Sequence, residues 1–96
     1  MAAYVIADVR DVRDVEALLE YRRRNTDAVA HHGGRFVVRG GATTLLEGEW
    51  PTQRIVVIEF PDADAARAWY QSTEYAPLKA LRQGASDTNI ILLEGV

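Results

Sequence analysis

The residue best placed to do chemistry is Glu59, a carboxylate that closes the apolar run Ile55-Val56-Val57-Ile58. In an extended segment alternate residues share a face, so Glu59 sits with Ile55 and Val57. A carboxylate on a covered face needs a hydrogen-bonding or cationic partner. Desolvation would raise its pKa and suit it to general-base work, whereas a neighbouring guanidinium would hold it ionised. Arg35, Arg39 and Arg82 are the candidate partners, and a rim ion pair that fixes the sheet is the plainer use of the same groups. Asp8, between Ala7 and Val9, poses the same question at a strand end, where it is expected to help the turn.

The sequence carries a heavy aromatic load for so short a chain: Tyr21, Trp50, Trp69, Tyr70 and Tyr75. Trp69 and Tyr75 are expected in the core, yet their N–H and O–H groups demand partners. Apolar walls with a few such groups are the makings of a pocket that orients a small organic ligand. A cleft between the second helix and the sheet, lined by Tyr21, Arg39, Glu59, Trp69 and Arg82, is therefore the candidate site. Its ligand would be apolar or aromatic, with a carboxylate or carbonyl group beside Arg39 and Glu59. In a catalytic version Glu59 is the base, Arg39 or Arg82 the oxyanion partner and the tryptophans the walls.

Other chemistries find little support. Arg39-Gly40-Gly41 could hold an anion beside exposed backbone N–H groups, but a glycine-permitted bulge explains it more simply. No GxxxxGK[ST] or GxGxxG spacing occurs, which argues against nucleotide phosphates. The two histidines, His31 and His32, are adjacent and would point about 100° apart on a helix, unlike the i, i+4 spacing of helical zinc ligands. Their place in a last turn suits the negative end of a helix dipole. With zero cysteines there is no thiolate ligand, disulfide or thiol nucleophile, and no GxSxG elbow surrounds Ser72 or Ser86. No metal or cofactor is expected.

Ninety-six residues fit one domain, expected over 1–96. The apolar fraction of 48% is generous for a chain that buries only about 60–70% of its unfolded surface. The net charge of −3 argues against a nucleic-acid surface, and Arg22-Arg23-Arg24 would spread around a helix rather than form a patch. No apolar run approaches the roughly 20 residues of a membrane span, and the first residues show neither the basic nor the apolar region of a signal peptide. A cytoplasmic location is expected. Ten of the 11 basic residues are arginine, which suggests a GC-rich bacterial source.

The elements that must position these side chains follow from periodicity. Tyr4–Val9 alternates as a strand. Asp11 reads as an N-cap with Asp14 completing a capping box, and a helix runs to about Arg24. Asn25-Thr26-Asp27 is expected to kink it, because these side chains compete for backbone groups. Gly33-Gly34 ends it. Arg35–Arg39 is a second strand, with Arg35 and Arg39 on one face and Phe36 and Val38 on the other. Thr43–Glu49 looks like its continuation beyond a glycine bend. Arg54–Phe60 is the strongest strand, Asp62 caps a helix through Tyr70, a short helical piece starts at Ser72, and Asn89–Glu94 is the last strand. The order is βαββαβ, an α+β, ferredoxin-like arrangement with a four-stranded antiparallel sheet and both helices on one side.

The other side should then be polar, and it is not. Whichever side the helices take, apolar residues remain on the other: Tyr4 and Ile6 oppose Val5, Ala7 and Val9, Ile55 and Val57 oppose Val56, Ile58 and Phe60, and Ile91 and Leu93 oppose Ile90 and Leu92. At about 25 cal/mol per Å² of apolar area, leaving it wet would be a heavy loss. Two such sheets packing face to face would cover it, so a homodimer is expected. The charged second strand fits an edge.

With these elements placed, the chain resembles the domain-of-unknown-function family 1330 of the dimeric α/β-barrel superfamily. The stretches that carry the likeness are Tyr4–Val9, Tyr21-Arg22, Gly33–Gly41, Leu46–Trp50, Val57–Pro61, Ala68–Ser72 through Tyr75, and Leu81-Arg82. The resemblance implies ferredoxin-like protomers pairing through their sheets as a dimeric α/β barrel. It implies no reaction. Relatives in the superfamily include cofactor-independent monooxygenases, muconolactone isomerases and haem-dependent enzymes, so fold alone is a weak guide to chemistry.

Overall fold

The computed structural model describes residues 1–96 throughout. Its order is β1 (Ala3–Arg10), α1 (Val15–His31), β2 (Arg35–Arg39), β3 (Arg54–Phe60), α2 (Ala63–Tyr70), α3 (Ala76–Ala85) and β4 (Asp87–Glu94). The strands form one antiparallel sheet in the order β2-β3-β1-β4. This is the expected ferredoxin-like α+β fold, with the second half's helical segment divided into α2 and α3.

The alternation of the central strands decides which side the helices take. Val5, Ala7 and Val9 of β1 are buried, as are Ile58 and Phe60 of β3. Val5, Ile58 and Phe60 cluster with Ala28 and Val29 of α1, Ala66 and Trp69 of α2 and Leu78 of α3. On the reverse side, Ile91 and Leu93 remain 55% and 45% exposed.

Several elements differ from expectation for local reasons. The N-cap of α1 is Asp14, whose carboxylate accepts from Ala17 N at 3.0 Å; Asp11 instead takes a left-handed turn at φ 50°. The helix does not kink at Asn25–Asp27. The Asn25 side chain is engaged by Tyr21 and Trp69, and Thr26 bonds back to the Arg22 carbonyl, so neither disrupts the helical ladder. Gly33, at φ +78°, closes the helix with its N–H on Ala30 O. Ser72 accepts from Tyr75 N in the turn that leads into α3, and β4 begins two residues before Asn89, at Asp87.

Thr43–Glu49 is not a strand. The β2–β3 ladder ends at Arg39↔Val56, with one further bond from Gly40 N to Ile55 O. Beyond it the edge segment has no partner strand. Edge placement of β2 is as expected, but its bulge falls at Val37, between the pairs Phe36↔Ile58 and Val38↔Val57. An inserted residue reverses the alternation after it. Arg35 and Arg39 therefore lie on opposite faces, not the same one.

Candidate functional site

A cavity of about 320 Å³ lies between α1 and the helix-side face of the sheet. Ala7, Val9, Val56, Ile58 and Ile90 form its sheet wall, and Leu18 and Leu19 of α1 stand opposite. Val12 and Val15, both largely exposed, also line it near the start of α1. The polar groups come from Tyr21, Asn25, Trp69 and four arginines, Arg22, Arg39, Arg54 and Arg82; no Asp, Glu or His lines the space.

The inner polar groups form one chain of hydrogen bonds. Trp69 Nε1 donates to Asn25 Oδ1 at 3.0 Å. An indole N–H can only donate, so the Asn25 amide is oriented, and its Nδ2 donates to Tyr21 Oη at 3.3 Å. Tyr21 and Tyr75 share a hydroxyl–hydroxyl bond of 2.8 Å, their rings edge to face. Arg82 Nε approaches Tyr75 Oη at 3.4 Å. Helical spacing places Tyr21 and Asn25 one turn apart on α1, and α3 delivers Arg82 seven residues, about two turns, beyond Tyr75. Trp69 itself is clamped among Phe60, Tyr70 and Tyr75, with ring centroids 4.3–5.9 Å away.

Burial pushes the Tyr21 hydroxyl far above its ordinary pKa, and the neighbouring Tyr75 pushes the same way, so Tyr21 is a neutral O–H donor. Burial pulls Arg82 downward, but its interactions with Tyr75, Tyr21 and Tyr70 outweigh that, and the guanidinium stays charged. Arg39 is lowered by burial first and then by the nearby charges of Arg22 and Arg54.

At the rim, the Arg39 guanidinium stacks 3.8 Å from the Phe36 ring centroid and donates to the Arg22 carbonyl at 2.6 Å. Gly40 has φ +76°, and a Cβ there would come within 2.7 Å of Arg54 Cζ. Glycine at this position thus lets the Arg54 guanidinium press against the backbone. With the Gly40 N–H bonded to Ile55 O, the Arg39-Gly40-Gly41 corner supplies a guanidinium to the rim rather than a nest of free amides.

A family model for a domain of unknown function, DUF1330, matches residues 2–96. The chain belongs to the DUF1330 family. No curated protein matches this sequence. Among solved structures, this DUF1330 chain is similar to a protein of unknown function from Rhodopseudomonas palustris, with TM-score 0.77 and 20% identity over 99% of this chain and 82% of that one. A dimeric ferredoxin-like protein of unknown function from Jannaschia sp. CCS1 gives TM-score 0.76 at 12% identity, covering 99% and 100%. SnoaB, a cofactor-independent oxygenase from Streptomyces nogalater, crystallised as its N63A mutant, gives 0.66 at 17%, covering 98% and 91%. At these identities the likeness establishes the fold.

Of the residues singled out from the DUF1330 sequence, Tyr21, Arg39, Trp69 and Arg82 line this cavity, but its helical wall is α1 rather than the expected second helix, which contributes only Trp69. Glu59 does not join them. It lies on the opposite face of the sheet, where Arg35 Nε donates to Oε1 at 2.7 Å and Tyr4 Oη donates to Oε2 at 3.2 Å. The hydrogen bond from Arg35 holds its carboxyl below the usual range. Alternation along β3 requires this placement, because Glu59 must face away from Ile58 and Phe60. Asp8 lies within β1 rather than at its end; it accepts from Gln53 N, just ahead of β3, at 3.2 Å and from Arg10 at 3.1 Å. His31 bonds Glu74 at 2.7 Å and His32 bonds the Ala28 carbonyl at 2.9 Å, both at the end of α1. Asn25, Arg22 and Arg54 were missed by sequence reasoning. The usable signal for Asn25 was a polar residue on the helix stripe that also carries Ala28 and Val29.

Proposed function

We propose that this protein binds a small, mainly apolar organic molecule in the cleft between α1 and the sheet. The observation that carries the reading is a cavity of about 320 Å³ lined mainly by hydrophobic side chains, with Tyr21, Asn25, Trp69 and four arginines as its polar groups. That is the composition of an orienting pocket: apolar walls supply affinity and a few fixed polar groups supply direction. Ligand-observed NMR with a panel of one- and two-ring aromatic fragments tests it. Binding by the native chain, lost in Ala7→Leu while the circular dichroism spectrum is kept, is the expected result. Fragments that bind both proteins equally, or neither, contradict it.

Catalysis in the same cleft, as a cofactor-independent monooxygenase or isomerase, is the second reading. The fold shared with SnoaB supports it. Proton abstraction inside the cleft finds no carboxylate or imidazole among the lining residues, so an enzyme here would work on a substrate that is already an anion. We assign Glu59 a structural role instead, as one half of the Arg35 ion pair.

The reading includes a homodimer formed through the open sheet face. Exposed Ile91 and Leu93 support it, as do solved neighbours described as dimeric. No helix is long and apolar enough to cross a membrane. A cytoplasmic, bacterial setting belongs to the proposal too, its source resting on the arginine-rich basic composition.

A further inference from the structure

The polarity of the hydrogen-bond chain specifies the group that the cleft admits, an inference that rests on the ligand-binding reading above. Tyr75 is fully buried, so its hydroxyl proton must be accepted inside the protein. Arg82 Nε can only donate to it, which leaves Tyr21 Oη, 2.8 Å away, as the acceptor. Tyr21 also accepts from Asn25 Nδ2. Both lone pairs of the Tyr21 hydroxyl are then taken, and its own proton is unspent at the edge of the cavity it lines.

The charge distribution points the same way. Arg82 is 4% exposed, and burying a guanidinium without an anion costs several kcal/mol. Yet every ion pair of the chain lies elsewhere, and none involves Arg22, Arg39, Arg54 or Arg82. A protein of net charge −3 has thus placed four arginines and no carboxylate around one apolar cavity. A neutral carbonyl would use the Tyr21 proton but leave these charges uncompensated. We propose that the cleft takes an apolar organic acid, its carboxylate accepting from Tyr21 Oη beside the Arg82 guanidinium and its hydrocarbon body lying along Val56 and Ile58. The elevated pKa of Tyr21 keeps that donor protonated across the neutral range.

Calorimetric titration with 2-naphthoate and 2-naphthylmethanol, the same two-ring body with and without the charge, tests this. The expected result is binding of the acid at least tenfold tighter than the alcohol, with the advantage shrinking as salt is raised. Arg82→Met should lower affinity for the acid tenfold or more and leave the alcohol unchanged. If Arg82→Met fails to fold, the ratio on the native chain decides alone. Equal binding of acid and alcohol overturns the acid preference and leaves the pocket reading standing; binding of neither overturns both.

Discussion

Trp69 Nε1 donates to Asn25 Oδ1 across 3.0 Å, joining α2 to α1 inside the core. That bond fixes which way the Asn25 amide faces, and hence that Tyr21 Oη accepts a hydrogen bond from Asn25 Nδ2 rather than donating one. Both partners are almost wholly buried, so neither can turn to water instead.

Asn25→Ala should therefore cost about 1–3 kcal/mol, the usual penalty for leaving a buried donor unpaired. Urea denaturation followed by circular dichroism reads it. Asn25→Asp keeps an acceptor for the indole but removes the donor to Tyr21. It also buries a charge, so it should not restore native stability.

Gly34 and Gly41 make a matched pair. A Cβ on Gly34 would stand 2.6 Å from Phe60 Cε1 and 2.8 Å from Val29 Cγ1, whereas one on Gly41 meets nothing within 4 Å. Overfilling a packed core typically costs 1–3 kcal/mol. Gly34→Ala should lower the thermal midpoint by several degrees, and Gly41→Ala should leave it within experimental error.

The Glu59–Arg35 pair predicts a pH signature. The carboxyl is held below its ordinary value of 4.5 by Arg35, and a depressed carboxyl stabilises the fold when ionised. Its contribution is complete above the unfolded-chain pKa and fades as pH falls through the lower folded value. Glu59→Gln should be less stable than the native chain at pH 7, with the gap closing below about pH 4. Melting curves from pH 3 to 7 measure it, and ligand binding in the cleft should be unaffected, because Glu59 lies on the other face.

Charging the open sheet face tests the assembly. Ile91→Lys with Leu93→Lys places two cations where apolar side chains are now exposed. The native chain should sediment as a dimer at micromolar concentration and the double variant as a monomer.

Strand alternation makes the two faces of the sheet legible in the sequence. Val5, Ala7 and Val9 had to go one way, with Tyr4 and Ile6 the other. Four members of the cleft were also within reach, because aromatic and arginine side chains on amphipathic elements have few places to go. The rest depended on tertiary detail. A one-residue bulge at Val37 leaves no mark in the sequence, yet it sends Arg39 to the cleft and Arg35 away from it. Asn25 looked like a helix breaker because its role depends on Trp69, 44 positions away. Alternation puts Glu59 opposite Ile58, and its exclusion from the cleft follows only once the helices take the side of Ile58 and Phe60.

The protein has two tryptophans, and they provide an internal control for the central claim. Trp69 is buried against the cleft, whereas Trp50 is 69% exposed and does not line it. In ¹H–¹⁵N correlation spectra each gives its own indole N–H signal. Addition of 2-naphthoate should shift the Trp69 signal and leave that of Trp50 in place. A titration that moves the Trp50 signal alone, or neither signal at saturating acid, would contradict the assignment of this cleft as the functional site.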